Sequence, residues 1–155
     1  MSYECFDENT CSNKCVAEKS RKSKLKFKID DYYYVGNYYG YTTEDAIYEE
    51  LLKYGPMVIS LAPNYFFGSY RSGIFDADEI TWKQLNMQQP EWQKVDHSVV
   101  LVGYGIENGI EYWLVQNSWG KNWGENGFMR LVKGKNLINI ESLAESAQVS
   151  VVEEE

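Results

Sequence analysis

Histidine, cysteine and proline are scarce in this chain of 155 residues, which has one histidine, three cysteines and three prolines. No apolar run reaches the length of about 18 residues that a membrane-spanning helix needs, so we expect no transmembrane segment. The first residues, MSYECFDEN, lack the hydrophobic stretch of a signal peptide. If Met1 and Ser2 are not the natural start of the protein, we expect any targeting sequence to lie upstream of this chain.

Basic charge is also in deficit, because 15 Lys and Arg residues face 23 Asp and Glu residues and leave a net charge of −8. An acidic chain of this kind offers no basic face to nucleic acid or to a membrane surface. The densest basic stretch, residues 19–28, is interpreted as a solvated connector. We therefore expect neither nucleic acid nor a membrane among the partners of the chain.

The three cysteines, Cys5, Cys11 and Cys15, all lie in the first 15 residues, far from the single histidine. This spacing matches zinc-binding patterns poorly, so we expect no metal site. Disulfide bonds in an oxidising compartment are the favoured interpretation. Because the count is odd, at least one cysteine is free or pairs with protein outside the chain. The chain is therefore expected to be a fragment of a larger protein.

Aromatic residues are abundant at 15% of the chain, and 44% of all residues are hydrophobic, which is enough for a sizeable core. One helix is predicted over residues 42–54, with Thr42 and Asp45 as its capping residues and Gly55 at its end. Residues 76–95 carry little periodicity and are predicted to form a long surface loop.

Most of the remaining sequence is predicted to form short strands. They are expected at 32–41, 57–61, 98–102, 111–116, 127–132 and 147–152. One helix followed by several antiparallel strands indicates an α+β fold. We divide the chain into a loop-rich leader at 1–31, interpreted as the end of a preceding half-domain, and a domain at 32–155.

Two segments carry the chemistry. The single histidine, His97, stands at the start of an apolar strand in DHSVVLVGYG, and Asn117 follows another strand in YWLVQNSWGKNWGENGF. In this order, the two segments resemble the histidine and asparagine motifs of papain-like cysteine peptidases. Gly55-Pro56 and residues 70–75 also match that family, and the resemblance covers about residues 32–152. It implies the strand-rich, half-barrel C-terminal half of the papain-like fold.

The resemblance also implies roles for three residues. His97 would take the proton of a cysteine thiol, Asn117 would orient the imidazole, and Trp119 would shield their hydrogen bond. The segment that supplies the family's nucleophilic cysteine and oxyanion-hole glutamine has no counterpart here. We therefore expect the nucleophile to lie on a partner, the N-terminal half of the fold, and the isolated chain to be inactive.

Two shorter motifs, YVGNYYG from Tyr34 and NIESL ending at Leu143, are similar to the dipeptidyl peptidase I branch of the family. That likeness implies a chloride ion at Tyr34, and Leu143 at the bottom of an S2 pocket for uncharged P2 side chains. It also implies an exclusion domain as a further partner and release of dipeptides from free N-termini. Tyr41 and Asn139 stand where the likeness leads us to expect cysteines, so the chain departs from the usual disulfide pattern at these two positions.

Other readings remain open. The chain could belong to an endopeptidase of the cathepsin type or to a non-catalytic papain-like protein that binds peptides. It could also be a fragment with no natural existence of its own. The acidic composition and the expected disulfides favour a lysosome, an acidic vacuole or the secretory pathway.

Overall fold

The computed structural model describes residues 25–64, 66–76 and 95–153. Residues 29–149 form one compact unit, which holds every side chain discussed below. Of a second unit the structure describes residues 25–28 and 150–153, at the ends of two strands. The three cysteines and nearly all of the predicted loop at 76–95 lie outside the described residues.

The described elements are mostly strands of one sheet, accompanied by one α-helix and a short 3-10 turn. In chain order they are β1 (Leu25–Tyr34), α1 (Glu44–Tyr54), β2 (Met57–Leu61), β3 (Ile74–Phe75), β4 (His97–Glu107), β5 (Ile110–Gln116), β6 (Phe128–Val132), a short 3-10 turn (Leu137–Asn139) and β7 (Leu143–Glu153). Within the described part of the chain, the sheet has seven strands in the order β1-β7-β2-β4-β5-β6-β3. The predicted α+β class is confirmed.

Several boundaries differ from the prediction. Residues 25–31, which we expected to be irregular, form the first part of β1, and β7 begins at Leu143 rather than at Ala147. Strand pairing extends these segments beyond the stretches that apolar alternation marks. The division of the chain at residue 31 stays a prediction. Among the described residues, none form a helix with the length and apolar character needed to span a bilayer.

β2 is a central strand that pairs antiparallel with both β4 and β7. Its buried Ile59 and Leu61 alternate with the more exposed Val58 and Ser60, because successive side chains of a strand point to opposite faces. Directly paired residues share a face. Leu61 pairs with His97, so the histidine enters the sheet on the core side of β4.

The N-terminus of α1 corrects one prediction. Thr43, not Thr42, is the N-cap, and its hydroxyl accepts the Ala46 N–H at 3.2 Å. Thr42 is buried, donates its hydroxyl to the Val35 carbonyl at 2.9 Å and accepts the Ala144 N–H at 3.0 Å. Two adjacent threonines give the same capping signal in the sequence, and the contacts of Thr42 with β7 decide between them.

The rest of α1 agrees with its prediction. Ile47 and Leu51 are buried on one face, as their spacing of four residues requires. Gly55 ends the helix with φ 95°, a conformation that favours glycine, and its N–H donates to the Leu51 carbonyl at 3.1 Å. The helix therefore packs its apolar stripe onto the sheet and stops where the chain turns into β2.

The hairpin between β4 and β5 brings two distant motifs together. Asn108 and Gly109 form its turn with φ values of 53° and 80°, the left-handed pair that two-residue hairpins prefer. Val100 pairs with Gln116, so the chain leaves β5 close to the start of β4. The residue after Gln116 is Asn117, which is thereby carried towards His97.

Candidate active site

His97 and Asn117 are joined by a hydrogen bond. The His97 Nε2 atom lies 3.0 Å from Asn117 Oδ1, and the same Oδ1 accepts the Ser118 N–H at 2.8 Å. Since a backbone N–H can only donate, the Ser118 contact identifies the amide atom facing the ring as oxygen. Nε2 must then carry the proton, and the neutral imidazole keeps its lone pair on Nδ1.

The glycine-rich loop after β5 holds Asn117 in place. The Asn117 N–H donates to the Gly127 carbonyl at 2.9 Å, and the Gly127 N–H donates to the Trp123 carbonyl at 2.8 Å. At Gly124, with φ 56°, a Cβ atom would lie 2.5 Å from the Phe128 carbonyl oxygen. Glycine is therefore required for this loop to close and to keep Asn117 buried, with 7% of its surface exposed.

One polar atom of this pair has no hydrogen-bond partner among the residues that the structure describes. Asn117 Nδ2 is buried, and in the described ranges no acceptor lies within hydrogen-bond distance of it. A buried N–H without an acceptor costs about 1–3 kcal/mol.

Aromatic rings pack against the histidine. Trp119 lies 5.2 Å from the His97 ring at an interplanar angle of 33°, and Phe67 meets His97 at 6.0 Å and Trp119 at 5.4 Å, both edge-on. The Trp123 Nε1–H donates to the Phe67 carbonyl at 3.3 Å and so links the loop after β5 to the segment that carries Phe67. Phe67 is fully buried, whereas Trp119 is 47% exposed. The rings therefore cover the imidazole on one side, and part of Trp119 still faces outward.

Sequence reasoning missed Phe67. The only local signal is the preceding Asn64, whose side chain accepts the N–H groups of Phe66 and Phe67 at 3.1 and 3.0 Å in a turn typical of asparagine. That signal predicts a turn and says nothing about the direction of the Phe67 ring. Its contact with His97 arises only from the packing of distant segments.

Glu125, in the loop after β5, forms an ion pair with Arg130 of β6 and also bonds the segment just before β3. Arg130 donates to both carboxylate oxygens of Glu125, at 2.9 and 2.7 Å, and Glu125 also accepts the Gly73 N–H at 2.8 Å. The Arg130 hydrogen bonds hold the pKa of Glu125 below its ordinary value and raise the pKa of Arg130. The Tyr70 hydroxyl donates to the Gly73 carbonyl at 2.7 Å, and burial raises the pKa of Tyr70.

Leu143 is not in the immediate group around His97. It is buried, with 4% of its surface exposed, and pairs with Ser60 at the start of β7. Ser60 pairs on its other side with Ser98, the residue after His97, and the two serine hydroxyls lie 3.3 Å apart. Leu143, Ser60 and Ser98 therefore lie abreast on the sheet face opposite to Leu61.

Tyr34 lies at the end of β1, three strands away from β4 in the sheet. It packs edge-on against Tyr39 with ring centroids 5.1 Å apart. It lines two clefts, one of about 490 Å³ that includes Glu145 and one of about 250 Å³ that includes Glu50. In the described residues, no three His, Cys, Asp or Glu side chains come together as metal ligands would.

The geometry defines a class of site. An imidazole that bonds an amide oxygen through Nε2 and leaves Nδ1 free of that bond matches the geometry of the histidine and asparagine in a Cys-His-Asn arrangement. The sequence profile of the papain family cysteine proteases matches residues 1–148 of the chain. The chain belongs to this family.

Two curated relatives give the scale of the likeness. The chain is 34% identical over 134 residues to cathepsin C of Schistosoma mansoni, across 85% of the chain and 28% of that protein. It is 36% identical over 101 residues to pro-cathepsin H of Mus musculus, across 65% of the chain and 28% of that protein. The chain therefore spans less than a third of the length of either relative.

Solved structures of the family share the fold. Bromelain from Ananas comosus, in complex with the inhibitor E64, matches with a TM-score of 0.62 and 25% identity, over 77% of the chain and 50% of that protein. Procathepsin B S9 from Trypanosoma congolense matches with a TM-score of 0.61 and 26% identity, over 81% of the chain and 37% of that protein. The predicted fold, the strand-rich C-terminal portion of the papain-like fold, is confirmed.

Proposed function

We propose that this chain is the histidine- and asparagine-bearing half of a cysteine peptidase and that it hydrolyses peptide bonds when a second half supplies the thiol. The observation that carries the proposal is the 3.0 Å contact between His97 Nε2 and Asn117 Oδ1, with Ser118 fixing the oxygen. This contact leaves the His97 Nδ1 lone pair available as a proton acceptor.

The first half of the reaction uses His97 as base and then as acid. The thiol gives its proton to His97 Nδ1, and the thiolate adds to the carbonyl carbon of the scissile bond. The carbonyl oxygen takes the negative charge, which donors on the second half would stabilise. When the C–N bond breaks, the imidazolium returns its proton to the leaving amine and a thioester remains.

Hydrolysis of the thioester repeats the proton transfers with water. His97 takes a proton from water as the oxygen adds to the thioester carbon, and the C–S bond then breaks. The sulfur leaves with the proton held by the imidazolium, which restores the thiol. Asn117 stays bonded to Nε2 throughout and orients the ring without adding a charge, while Trp119 and Phe67 limit the access of water to that bond.

The partner in this proposal is the half of the fold that carries the cysteine. Its docking surface on this chain is an exposed apolar face made by Tyr32, Val58, Val100 and Val149, which are 82, 40, 38 and 54% exposed and line the cleft of about 490 Å³. Exposed apolar residues that lie side by side mark contact surfaces. The curated relatives contain ample additional chain to cover it, since this chain spans 28% of cathepsin C.

The dipeptidyl peptidase activity is a finer proposal. It rests on the identity of 34% to cathepsin C and on the two short motifs that include Tyr34 and Leu143. Leu143 would close an S2 pocket beside Ser60 and Ser98, and its apolar side chain would favour uncharged P2 residues. An exclusion domain on the rest of the protein would hold the free amine of the substrate.

Chloride and cellular location remain predictions. The surroundings of Tyr34 fit an anion poorly, because Glu145 lies in one of its clefts, and in the other Glu49 and Glu50 outnumber the single Lys53. The Tyr33 hydroxyl next to it already donates to Glu50 at 2.6 Å. We therefore derive no catalytic step through chloride. A lysosome, an acidic vacuole or the secretory pathway is proposed from composition and from the cysteines alone.

A substrate pair tests the proposal and separates it from its alternatives. The enzyme to assay is the assembled protein, this chain together with the cysteine-bearing half, on a fluorogenic dipeptide with a free amine and on its acetylated twin. Cleavage of the free form alone, lost in His97→Ala, supports the dipeptidyl peptidase. Cleavage of both forms indicates an endopeptidase. Cleavage of neither form contradicts catalysis and favours a peptide-binding protein. The chain alone should cleave neither substrate.

A further inference from the structure

One buried carboxylate takes no part in the proposed chemistry. Glu141 is 8% exposed and stands two residues before Leu143. Its Oε1 accepts the Trp113 Nε1–H at 2.8 Å and the Gly134 N–H at 2.7 Å, while Oε2 accepts the Asn136 N–H at 2.8 Å. Hydrogen bonds to a carboxylate are stronger than neutral ones, so this side chain fixes three donors from two separate segments.

The segment that Glu141 holds is a strained turn. Positive φ angles occur at Gly134, Asn136, Ile138 and Asn139, with values of 80°, 47°, 50° and 64°. The left-handed conformation is costly for a β-branched residue such as Ile138, and it persists only where neighbouring contacts enforce it. Glu141 supplies such contacts at both ends, because its own N–H also donates to Asn136 Oδ1 at 2.8 Å.

The turn reaches the neighbourhood of the histidine and then delivers Leu143. The Ile138 carbonyl accepts the Ala62 N–H at 2.8 Å, and Ala62 follows Leu61, the partner of His97 in the sheet. The chain then enters β7 at Leu143. The place of the Leu143 side chain therefore depends on how the turn is held against β5 and against the end of β2.

We propose that Glu141 is a positioning residue for substrate selection. Its carboxylate anchors the turn at residues 134–140 to Trp113 and so sets the position of Leu143 against the P2 side chain of the substrate. This inference rests on the proposed function, because it needs a peptide substrate and an S2 pocket at Leu143. It assigns to Glu141 a role that differs from acid–base chemistry.

Selectivity in the assembled enzyme tests the inference. Glu141→Gln keeps the shape of the side chain but removes its charge, and its NH2 faces either the Asn136 N–H or the Trp113 and Gly134 N–H groups. We expect the ratio of kcat/KM for a P2 leucine substrate to that for a P2 glycine substrate to fall about tenfold. If the variant only reduces the amount of folded enzyme, the apparent kcat/KM falls equally for the two substrates and their ratio stays unchanged. An unchanged ratio in Glu141→Gln would overturn the inference.

Two further variants sharpen this test. Leu143→Ala should lower the same ratio, and the double variant should lower it no further than Leu143→Ala alone, because both changes act through one side chain. If the effects of the two substitutions on the ratio multiply in the double variant, Glu141 does not act through Leu143. Asp45→Asn, which removes one charge from an exposed position in the first turn of α1, is the matched control and should leave the ratio unchanged.

Hydrogen exchange tests the anchor without any substrate. In Glu141→Gln, the amides of Gly134 and Asn136 should exchange about tenfold faster than in the wild-type protein, because they lose a carboxylate acceptor. Unchanged exchange at both amides would refute the anchor even in an active enzyme. If the wild-type protein cleaves no peptide, the proposed function fails and selection by Glu141 fails with it, while faster exchange would still establish the anchor.

Discussion

The ring of Phe67 meets the imidazole of His97 edge-on, with ring centroids 6.0 Å apart and an interplanar angle of 74°. Phe67 comes from the segment after β2, whereas Asn117, which holds the other side of the histidine, comes from the loop after β5. The orientation of the imidazole thus depends on a hydrogen bond from one segment and on packing from another.

Replacing Phe67 by leucine should lower kcat of the assembled enzyme. Leucine keeps the site apolar but loses the edge contacts with His97 and Trp119, and such aromatic contacts contribute about 0.5–1.5 kcal/mol, or up to about tenfold in rate. Steady-state kinetics on a dipeptide substrate measures the change. Phe66→Leu is the control, because the neighbouring Phe66 is 58% exposed and should tolerate the change. Equal kcat values for the two variants would contradict a role for the Phe67 ring.

The two threonines before α1 should differ in their effect on stability. Thr42→Val removes the hydroxyl that serves the buried Val35 carbonyl and Ala144 N–H, and should lower the free energy of unfolding by about 2 kcal/mol. Thr43→Ala removes only an exposed cap and should cost about 1 kcal/mol. Urea unfolding compares the two variants. A larger loss in Thr43→Ala would contradict the assignment of the buried role to Thr42.

These threonines also show what a sequence can and cannot predict. The helix, its glycine stop and the Asn108-Gly109 hairpin follow from local patterns, because each depends on the conformational preference of one or two residues. The motifs around His97 and Asn117 likewise identify the family. The buried role of Thr42 and the anchor at Glu141 depend on partners far away in the chain, which local patterns do not specify.

Acid should weaken the contribution of Glu125 to stability. Its pKa is lowered in the folded protein from an ordinary value of 4.5, chiefly by hydrogen bonds from Arg130. The unfolded chain therefore takes up the proton first as the pH falls. The contribution of the ionised group is full above about pH 4.5 and is lost as the pH falls through the lower folded pKa.

Comparison of the wild-type protein with Glu125→Gln measures this effect. The difference in their free energies of unfolding should be largest near neutral pH and should shrink as the pH is taken below about 4. Urea unfolding at a series of pH values gives the difference directly. A difference that stays constant, or grows in acid, would show that Glu125 does not act through its ionised pair with Arg130.

The apolar face on β1, β2, β4 and β7 should control assembly. Val100→Asp places a charge on that face and should weaken association with the cysteine-bearing half by tenfold or more, roughly the effect of losing one central contact. Ile106→Asp is the matched control, because Ile106 is a 66% exposed aliphatic residue on the same strand outside the cleft. Titration calorimetry measures both affinities. If both variants weaken the affinity for the cysteine-bearing half equally, this apolar face is not the docking surface.

The central claim is that His97, oriented by Asn117, keeps a cysteine of the second half as a thiolate. The direct measurement is the pH dependence of alkylation of that cysteine by iodoacetamide in the assembled enzyme. With His97 present, alkylation should persist well below pH 8.5, about the ordinary pKa of a free cysteine. In His97→Ala, alkylation should begin only near pH 8.5. The pH profile of Asn117→Ala should lie between those of the wild-type enzyme and His97→Ala. Identical profiles for the wild-type enzyme and His97→Ala would contradict the claim.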